Sequence, residues 1–286
     1  MTKGIVIYNG FLNPREPKFI LNFREAGREL GIEVEGAASG DFLLSGEGSC
    51  FPEADFYLFY DKDMNLCRAL EKRGARIFNS ARCCAVCDDK ALQVQEIGAE
   101  FFPQSYFAPK SYFRDADWQG LAEVGETLGY PLVVKECFGS WGEQVYLAKS
   151  AEELRTIYRA HSDKPLLFQK FVRESAGRDG RAIVVGDKVV GAILRRARQG
   201  EFRANVELGA ETEPLALDAE TEKLCVKAAK RAGADFCGVD LLFGKERIYV
   251  CELNASPGFA GFDRATGKRA ELEILRHVKH RLDNLA

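Results

Sequence analysis

The sequence predicts a small parallel α/β domain followed by two α+β lobes. Three observations support this fold class. Short apolar runs alternate with helical patterns over residues 1 to about 85, whereas paired apolar runs joined by turns dominate the remainder. The last of these pairs, within Gly238–Phe259, carries polar oxygen donors in an otherwise apolar hairpin. A length of 286 residues suits about two domains.

The first part of the chain has the order of a parallel sheet. Apolar residues at helical spacing predict a helix that ends at Gly31, and Asn65 is expected to cap a second helix that runs to Arg73. Residues 36–53 are rich in Gly and Ser and predict a loop or an active-site flap. The predicted strands are Gly4–Tyr8, Ile32–Val34, Asp55–Tyr60 and Ala75–Phe78. We assign residues 1–87 to this α/β domain.

Hairpins and single helices replace that alternation from Asp88 onward. We divide this part into a central lobe, residues 88–170, and a C-terminal lobe, residues 171–286. The predicted strands are Pro131–Glu136, Gln144–Lys149, Leu166–Val172, Ala182–Val185, Lys188–Leu194 and the two arms of the last hairpin. The predicted helix starts are Asp88 or Asp89, Asp117, Ser150 with Glu153 as a capping box, Asp218, and about Arg269.

Three hard oxygen donors lie in the last hairpin. Asp240 is in its first arm, Glu252 is near the end of the second arm, and Asn254 follows. Because hairpin arms fold back on each other and alternate residues share a face, these side chains can converge. Mg²⁺ prefers such donors, so the hairpin predicts a metal site. The alternative is an edge strand with solvated acids.

A lysine and a glycine-rich loop follow a predicted buried strand. Lys135 ends the strand, and Gly139 and Gly142 lie in the loop after it. Glycines let backbone N–H groups approach phosphate oxygens, and a lysine at the base of the loop supplies a point charge. A solvated strand end and a simple hairpin loop are the alternatives.

The composition limits the kinds of binding partner that we expect. Forty Lys and Arg residues against 43 Asp and Glu give a net charge of −3, so neither nucleic acid nor a membrane is an expected partner. The N-terminus reads as a first strand rather than a signal peptide, and we expect a cytoplasmic protein. Nine cysteines are scattered and read as reduced thiols. The cluster Cys83, Cys84 and Cys87 lacks a fourth soft ligand and is expected to be helix or loop thiols.

Four arginines fall within nine residues, at positions 195, 196, 198 and 203. Strand alternation places Arg196 and Arg198 on one face and Arg195 on the other. The simpler interpretation is a solvated basic face. Our hypothesis is that part of the run faces an active cleft and binds anionic substrate groups, because the planar guanidinium pairs bidentately with carboxylate and phosphoryl groups.

The run ELNASPGF, followed by GFDRATG, resembles the metal-binding end of ATP-grasp ligases, most closely the RimK-type α-L-glutamate ligases. The resemblance extends from about Asp88 to Gly267. It implies an ATP-grasp fold in which two lobes clasp ATP, with Mg²⁺ or Mn²⁺ bound as two ions. It also implies a carboxylate–amine ligase that forms an acyl phosphate, releases ADP and phosphate, and joins an acidic amino acid such as glutamate to a carboxylate acceptor.

The same resemblance assigns further residues by position. It places Lys90 on the phosphates and the backbone of the hinge on the adenine edge, with Lys170 where the family usually has an acidic residue. It places Asp179 near the ribose, and it implies a substrate junction lined by the arginine run, where Arg195 and Arg203 are the expected catalytic residues. The expected nucleotide contacts are Lys90, Lys135, Gly139, Gly142, Gln169, Lys170, Phe171, Asp179, Arg203 and Asn205.

Three alternative functions stay open at this point. The first is a ligase of the same fold for another amino acid or peptide, as in lysine-biosynthesis relatives. The second is a kinase that stops at phosphorylation, and the third is a non-catalytic nucleotide-binding regulatory module. The acceptor is a small molecule, a peptide or a protein C-terminus, and homo-oligomerisation is left open.

Overall fold

The computed structural model describes residues 1–12, 15–42, 51–139, 142–198, 203–204 and 210–284. The strands are β1 (Thr2–Tyr8), β2 (Ile32–Ala38), β3 (Phe56–Tyr60), β4 (Ile77–Phe78), β5 (Ser105–Ala108), β6 (Leu132–Glu136), β7 (Val145–Ala148), β8 (Leu166–Lys170), β9 (Arg178–Val185), β10 (Lys188–Arg196), β11 (Glu211–Leu215), β12 (Phe236–Phe243) and β13 (Ile248–Asn254). The helices are α1 (Lys18–Leu30), α2 (Met64–Lys72), α3 (Ala81–Asp88), α4 (Lys90–Ile97), α5 (Gly120–Leu128), α6 (Ala151–His161), α7 (Ala219–Ala232), α8 (Ala260–Thr266) and α9 (Ala270–Asp283).

These strands form three sheets. The first is parallel, in the order β2-β1-β3-β4. The second and third are antiparallel, in the orders β5-β8-β6-β7 and β11-β10-β9-β12-β13. Helices α5 and α6 pack on the second sheet and α7 packs on the third. This architecture confirms the predicted fold class, an α/β domain with two α+β lobes, while the domain boundaries stay a prediction.

One asparagine joins the first sheet to the third. Asn79 follows β4 and is fully buried. Its Nδ2 donates to the carbonyls of Phe236 and Ala255 at 2.8 and 2.9 Å, and its Oδ1 accepts from the N–H groups of Asp235 and Phe236. All four hydrogen bonds cross from the N-terminal domain to the C-terminal lobe. The side chain therefore sets where β12 and the end of β13 lie relative to the parallel sheet.

Several local predictions need correction. The cap of α2 is Asp63, whose carboxylate accepts from the N–H groups of Asn65 and Leu66. Asp117 caps no helix, because it pairs with Arg159 while α5 starts three residues later. The predicted flap is shorter, because β2 extends to residue 38 before a short 3-10 turn; residues 43–50 of it lie outside the described residues.

Other predictions are confirmed. The Ser150 hydroxyl accepts from the Glu153 N–H at 3.2 Å and caps α6. The Glu153 carboxylate accepts from the Lys149 N–H at 2.8 Å, one residue before the N–H that a capping box uses. The side chain of Asp218 accepts from the Thr221 N–H and caps α7. The three clustered cysteines lie on α3, which was not predicted as a separate helix; β5, β11 and α8 were not predicted either. In the described part of the chain, no helix combines the length and apolarity that crossing a bilayer requires.

Two carboxyl groups meet where α8 turns into α9. Asp263 accepts from the Ala270 N–H at 3.3 Å, and Glu271, which is buried, accepts from the Asn22 amide of α1 at 2.9 Å. Burial and the neighbouring charge of Glu271 together raise the pKa of Asp263 to about 7. The corner that docks α9 on the N-terminal domain is therefore sensitive to pH.

We predict that Asp263→Asn removes part of the loss of stability between about pH 4 and pH 7. The folded pKa lies above that of an unfolded Asp, about 3.9, so the folded state holds the extra proton between these values. Stability therefore falls as pH rises through that window. For a half-exposed group we expect an effect on the order of 1 kcal/mol, because solvent screens the charges. Urea denaturation across this pH range measures it.

The matched control is Asp283→Asn, an exposed carboxyl near the end of the same helix. That substitution should leave the pH dependence of the unfolding free energy unchanged. If the wild-type and Asp263→Asn curves stay parallel from pH 4 to pH 7, the corner is not the source of the pH dependence.

Candidate active site

A cleft of about 870 Å³, partly open to solvent, lies between the second and third sheets. We call it the first cavity. It is lined by strand residues of both sheets, by α4 and by the loop after β6. The residues predicted from the sequence that border it are Lys90, Lys135, Gly139, Gly142, Gln169, Lys170, Phe171, Asp179, Arg195, Arg203, Asp240 and Glu252. Asn205, the remaining predicted nucleotide contact, lies outside the described residues.

Two buried ammonium groups face this cavity. Lys90 Nζ donates to the carbonyl of Gly139 at 3.2 Å, and Lys135 Nζ lies 3.6 Å from the Cys251 sulfur. The two lysines are 9% and 5% exposed. Neither has a carboxylate within ion-pairing distance among the residues that the structure describes. Buried charges are ordinarily paired, so both ammonium groups call for an anion inside the cavity.

The thiol beside Lys135 does not supply that anion. Burial raises the pKa of Cys251 to about 11, although the Lys135 charge opposes the change. The thiol is therefore protonated at neutral pH and leaves the lysine charge uncompensated. Cys251 was not singled out from the sequence, since a cysteine in an apolar strand carries no distinctive signal.

The strand predicted as the hinge borders the cavity, and one of its backbone N–H groups is already hydrogen-bonded within the protein. Gln169 is buried and its Nε2 donates to the Ser105 hydroxyl at 3.0 Å. The Lys170 N–H donates to the carbonyl of Gln104 at 2.9 Å. That N–H is therefore already paired, and the expected contact of the hinge backbone with an adenine edge stays a prediction. Phe171 follows at the cavity wall.

The loop after β6 is held from two sides. Gly139 accepts from Lys90, as described, and the carbonyl of Gly142 accepts from Arg203 Nη1 at 2.6 Å. Gly142 has φ +75°, a left-handed conformation that other residues rarely adopt. Arg203 thus contacts the loop across the cavity mouth. Residues 140–141 lie outside the described part of the chain.

Four charged side chains form one ion network on a face of the third sheet. Arg195 pairs bidentately with Asp179 at 2.5 and 2.7 Å, and Arg181 pairs bidentately with Asp240 at 2.7 and 2.8 Å. Arg195 Nη2 also lies 2.9 Å from Asp240 Oδ2, which links the two pairs. The register explains the pairing, because Arg195 lies opposite Asp179 and Asp240 lies opposite Arg181.

This network fixes the charge states of its members. Burial alone would raise the pKa of Asp240, but Arg181 and Arg195 overcome it and lower the pKa to about 2. Burial likewise opposes the charge of Arg195, and the two aspartates raise its pKa above the ordinary value. At Asp179 burial outweighs the two arginines and raises the pKa to about 6. At neutral pH the aspartates and arginines are therefore mainly ionised and neutralise one another. Arg195 is 1% exposed, so it acts from within the wall, whereas we expected it to bind substrate directly.

The predicted metal ligands adjoin the network. Glu252 lies opposite Asp240 in the β12–β13 ladder, and the Asn254 amide nitrogen is 3.5 Å from Glu252 Oε1. Three of the roughly four lone-pair sites of the Asp240 carboxylate accept from arginine N–H groups, which leaves about one for a cation. No ion pair between described residues involves Glu252. The donors therefore fit Mg²⁺ through Glu252 and Asn254, with a lesser share from Asp240 than we expected.

Those donors do not form a complete cage. In the described ranges no group of three or more His, Cys, Asp and Glu side chains is arranged to hold a metal ion. A cation bound here would complete its coordination with water and with oxygens of a ligand, as Mg²⁺ at phosphate sites usually does. The lysines line the first cavity, which Glu252 also borders, so the anion and cation positions adjoin at Glu252.

Strand alternation in the arginine run is confirmed. Arg195 points into the sheet wall, whereas Arg196 and Arg198 are exposed. Arg196 pairs with Glu213 on β11 at 2.8 Å in solvent. The run is thus divided between the cavity and a solvated face, and Arg196 and Arg198 do not border the cavity.

A second and larger cavity opens on the other side of β13. It lies between the first sheet and the segment from Asn254 to Ala260, and its open space measures about 2,020 Å³. Glu252 borders both cavities, and Arg181 also borders the second. The two cavities are therefore separated by the metal-ligand candidates and one member of the ion network.

Comparison with known proteins identifies the family. A model of the RimK-like ATP-grasp domain matches residues 112–278, more than half of the chain. The chain belongs to the RimK-like ATP-grasp family. The resemblance inferred from ELNASPGF is thereby confirmed.

Individual relatives agree with this assignment. Human N-acetylaspartylglutamate synthase A is 36% identical over 207 residues, which cover 72% of this chain and 52% of that protein. A probable alpha-L-glutamate ligase from Haemophilus ducreyi is 35% identical over 207 residues, covering 70% of this chain and 66% of the other. This RimK-like chain spans about half the length of the human relative.

A solved structure supports the fold. The ATP-grasp ligase PsnB, in complex with a phosphomimetic variant of its minimal precursor, Mg and ADP, superposes with a TM-score of 0.68. Its sequence identity is 19%, and the match covers 98% of each chain. The likeness shows the ATP-grasp fold for nearly the whole RimK-like chain.

Two functional residues of the RimK-like chain were missed from the sequence. Arg181 ends the polar first half of β9, just before its apolar residues, and only the register of β9 against β12 reveals its partner. Gln93 on α4 is buried; its Nε2 donates to the Leu253 carbonyl at 3.1 Å and its Oε1 accepts from the Leu253 N–H at 2.7 Å. Gln93 thereby fixes the backbone between Glu252 and Asn254. A lone glutamine on a helix gives no such signal.

We predict that Arg195→Met lowers the free energy of unfolding by about 3–5 kcal/mol, because it leaves two buried aspartates without their shared partner. Arg196→Met is the matched control on the next residue of the same strand. Its exposed pair with Glu213 should be worth about 0–1 kcal/mol. Urea denaturation followed by circular dichroism compares them. Equal losses in the two variants would contradict a structural role for the network.

Proposed function

We propose that this chain is an ATP-dependent carboxylate–amine ligase. ATP binds in the first cavity, and a substrate carboxylate attacks its γ-phosphate to give an acyl phosphate and ADP. An amine then displaces phosphate and forms the amide. The protein contributes positioning and charge neutralisation rather than a covalent nucleophile.

The observation that carries this proposal is the pair of buried lysines that have no carboxylate partner within the described ranges. Lys90 and Lys135 border one cavity together with the glycine loop. A polyphosphate supplies the missing negative charge, and the backbone of Gly139 and Gly142 lies close enough to the cavity to contact it. The nearby aspartates cannot serve as this counter-charge, since Arg181 and Arg195 already neutralise them.

A bound Mg²⁺ would neutralise part of the triphosphate charge. Glu252 and Asn254 are the residues proposed to hold it, with Asp240 in support. Mg and ADP in the complex of PsnB support the pairing of this fold with a metal–nucleotide ligand. Mn²⁺ and a second ion are part of the same proposal. Glu252 stands at the boundary of the two cavities, where the γ-phosphate and the second substrate would meet.

The second cavity is the proposed site of the carboxylate and amine substrates. It adjoins the first at Glu252, is large enough for an amino acid together with part of a peptide, and contains both cationic and anionic walls. The names of the human and bacterial relatives support glutamate as one substrate. We propose an acidic amino acid, glutamate first, joined to a small-molecule or peptide carboxylate.

One screen tests the proposal directly. Purified protein is incubated with Mg-ATP and combinations of amino acids with carboxylates, ADP release is followed, and products are read by mass spectrometry. An amide product establishes a ligase. A phosphorylated carboxylate without an amide indicates a kinase, and tight ATP binding without ADP release indicates a regulatory module.

We predict that turnover yields ADP and phosphate, because acyl-phosphate chemistry cleaves the bond to the γ-phosphate. Ion-exchange chromatography separates the product nucleotides. AMP and pyrophosphate would instead indicate adenylation and overturn the proposed mechanism.

Removal of divalent metal with EDTA should abolish turnover, and Mg²⁺ should restore it.

We predict that Glu252→Gln lowers kcat at least about 100-fold, by analogy with loss of one preorganised electrostatic group. The amide is isosteric but lacks the charge that a metal ligand supplies, so circular dichroism should be unchanged. Glu213→Gln, an exposed carboxylate on β11, is the control and should leave kcat within about twofold. Normal turnover of the Glu252 variant would make this residue a strand-end acid only.

A further inference from the structure

The second cavity lies at the carboxyl edge of the parallel first sheet. Asn9 follows β1 and Asp61 follows β3, and both border the cavity. Open α/β sheets bind ligands at this edge, where strand ends and loops present polar groups. Neither residue was singled out from the sequence.

One carboxylate oxygen of Asp61 accepts three hydrogen bonds, whereas the other accepts none among the described residues. Its Oδ1 accepts from Asn9 Nδ2 at 3.1 Å and from the N–H groups of Lys62 and Asp63 at 2.5 and 3.2 Å. Its Oδ2 is buried and accepts from no donor among the described residues, and the residue is 7% exposed. A buried polar atom without a partner is destabilising and rare in native structures, so it calls for an explanation.

The neighbouring residue shows the same feature. The hydroxyl of Tyr60 is buried without a hydrogen-bond partner in the described part of the chain, and Tyr60 also borders the second cavity. Burial, then the charges of Glu271 and Asp263, raise the pKa of the phenol well above its ordinary value. The hydroxyl therefore stays protonated and can donate or accept. Two of the three such atoms in the described residues thus fall on consecutive residues of one cavity.

The cations of this cavity do not compensate Asp61. Lys62 pairs with Asp88 at 2.5 Å, and Arg181 pairs with Asp240. Lys18 is exposed to solvent at the start of α1. The carboxylate of Asp61 is held through Oδ1, while Oδ2 accepts from no donor in the part of the chain that the structure describes. The geometry is that of a fixed hydrogen-bond acceptor for a ligand.

We propose that Asp61 binds the amine of the amino-acid substrate in the second cavity, through Oδ2. This assignment rests on the proposed ligase function and adds a specificity-determining residue to it. An ammonium or amine is the favoured ligand group, because it supplies both the hydrogen-bond donor and the positive charge that Asp61 lacks. The residue selects ligands by the presence of an amine.

The test compares L-glutamate with glutarate, which has the same two carboxylates and no amine. Calorimetry measures the binding of each to the Mg-ADP complex of the full chain. We expect wild-type protein to bind L-glutamate at least about tenfold more tightly than glutarate, as loss of one charge-assisted hydrogen bond predicts. Asp61→Asn should reduce this ratio to threefold or less, because the amide keeps the Oδ1 contacts but presents a donor to the ligand amine.

The matched control is Asp163→Asn. Asp163 Oδ1 is also buried and has no hydrogen-bond partner among the described residues, but Asp163 lies in the central lobe and borders neither cavity. Its variant should keep the wild-type ratio. An unchanged ratio in Asp61→Asn, or a wild-type protein that binds glutarate as tightly as glutamate or binds neither, overturns the proposal. Failure of the ligase function itself appears separately, as absence of Mg-ADP binding and of ATP turnover in wild type.

Discussion

The ion network of Asp179, Arg195, Asp240 and Arg181 is the interaction on which the site depends. Its members project from β9, β10 and β12, three adjacent strands of the third sheet, and each bidentate pair joins residues in direct register. Unpaired, any of these charges would make burial of this face unfavourable. Because two arginines meet two aspartates, the face is neutral. This face of the third sheet can therefore be buried even when no ligand occupies the cleft.

Because the network is neutral, other charged groups of the first cavity are the ones available to bind a ligand. With Asp240 and Asp179 committed to arginines, the charges of the first cavity that have no ion-pair partner among the described residues include Lys90 and Lys135 on one side and Glu252 on the other. A phosphate chain with its metal ion has the matching arrangement, negative toward the lysines and positive toward the carboxylate. The network thus contributes indirectly, by keeping four strong charges from competing with the ligand.

The sequence predicted the elements of this site better than their contacts. The hairpin with Asp240 and Glu252, the glycine loop and the hinge strand follow from local patterns of period two, turns and glycines. The pairing of Asp240 with Arg181 depends on which strand lies beside β12, and that register is a tertiary property. The same limit explains why Asp117, a good capping residue by type, pairs with Arg159 instead. Buried amides such as Gln93 leave no pattern at all.

The single strand β13 connects the two cavities. Glu252 borders both, Cys251 faces the first beside Lys135, and Asn254 borders the second. Its backbone is fixed from one side by Gln93 through Leu253, and its end is fixed by Asn79 through the Ala255 carbonyl. The N-terminal domain therefore controls the position of the strand that carries the metal-ligand candidates. Any displacement of the parallel sheet would move the second cavity and these donors together. The substrate site proposed in the second cavity would therefore keep its position relative to the proposed nucleotide site.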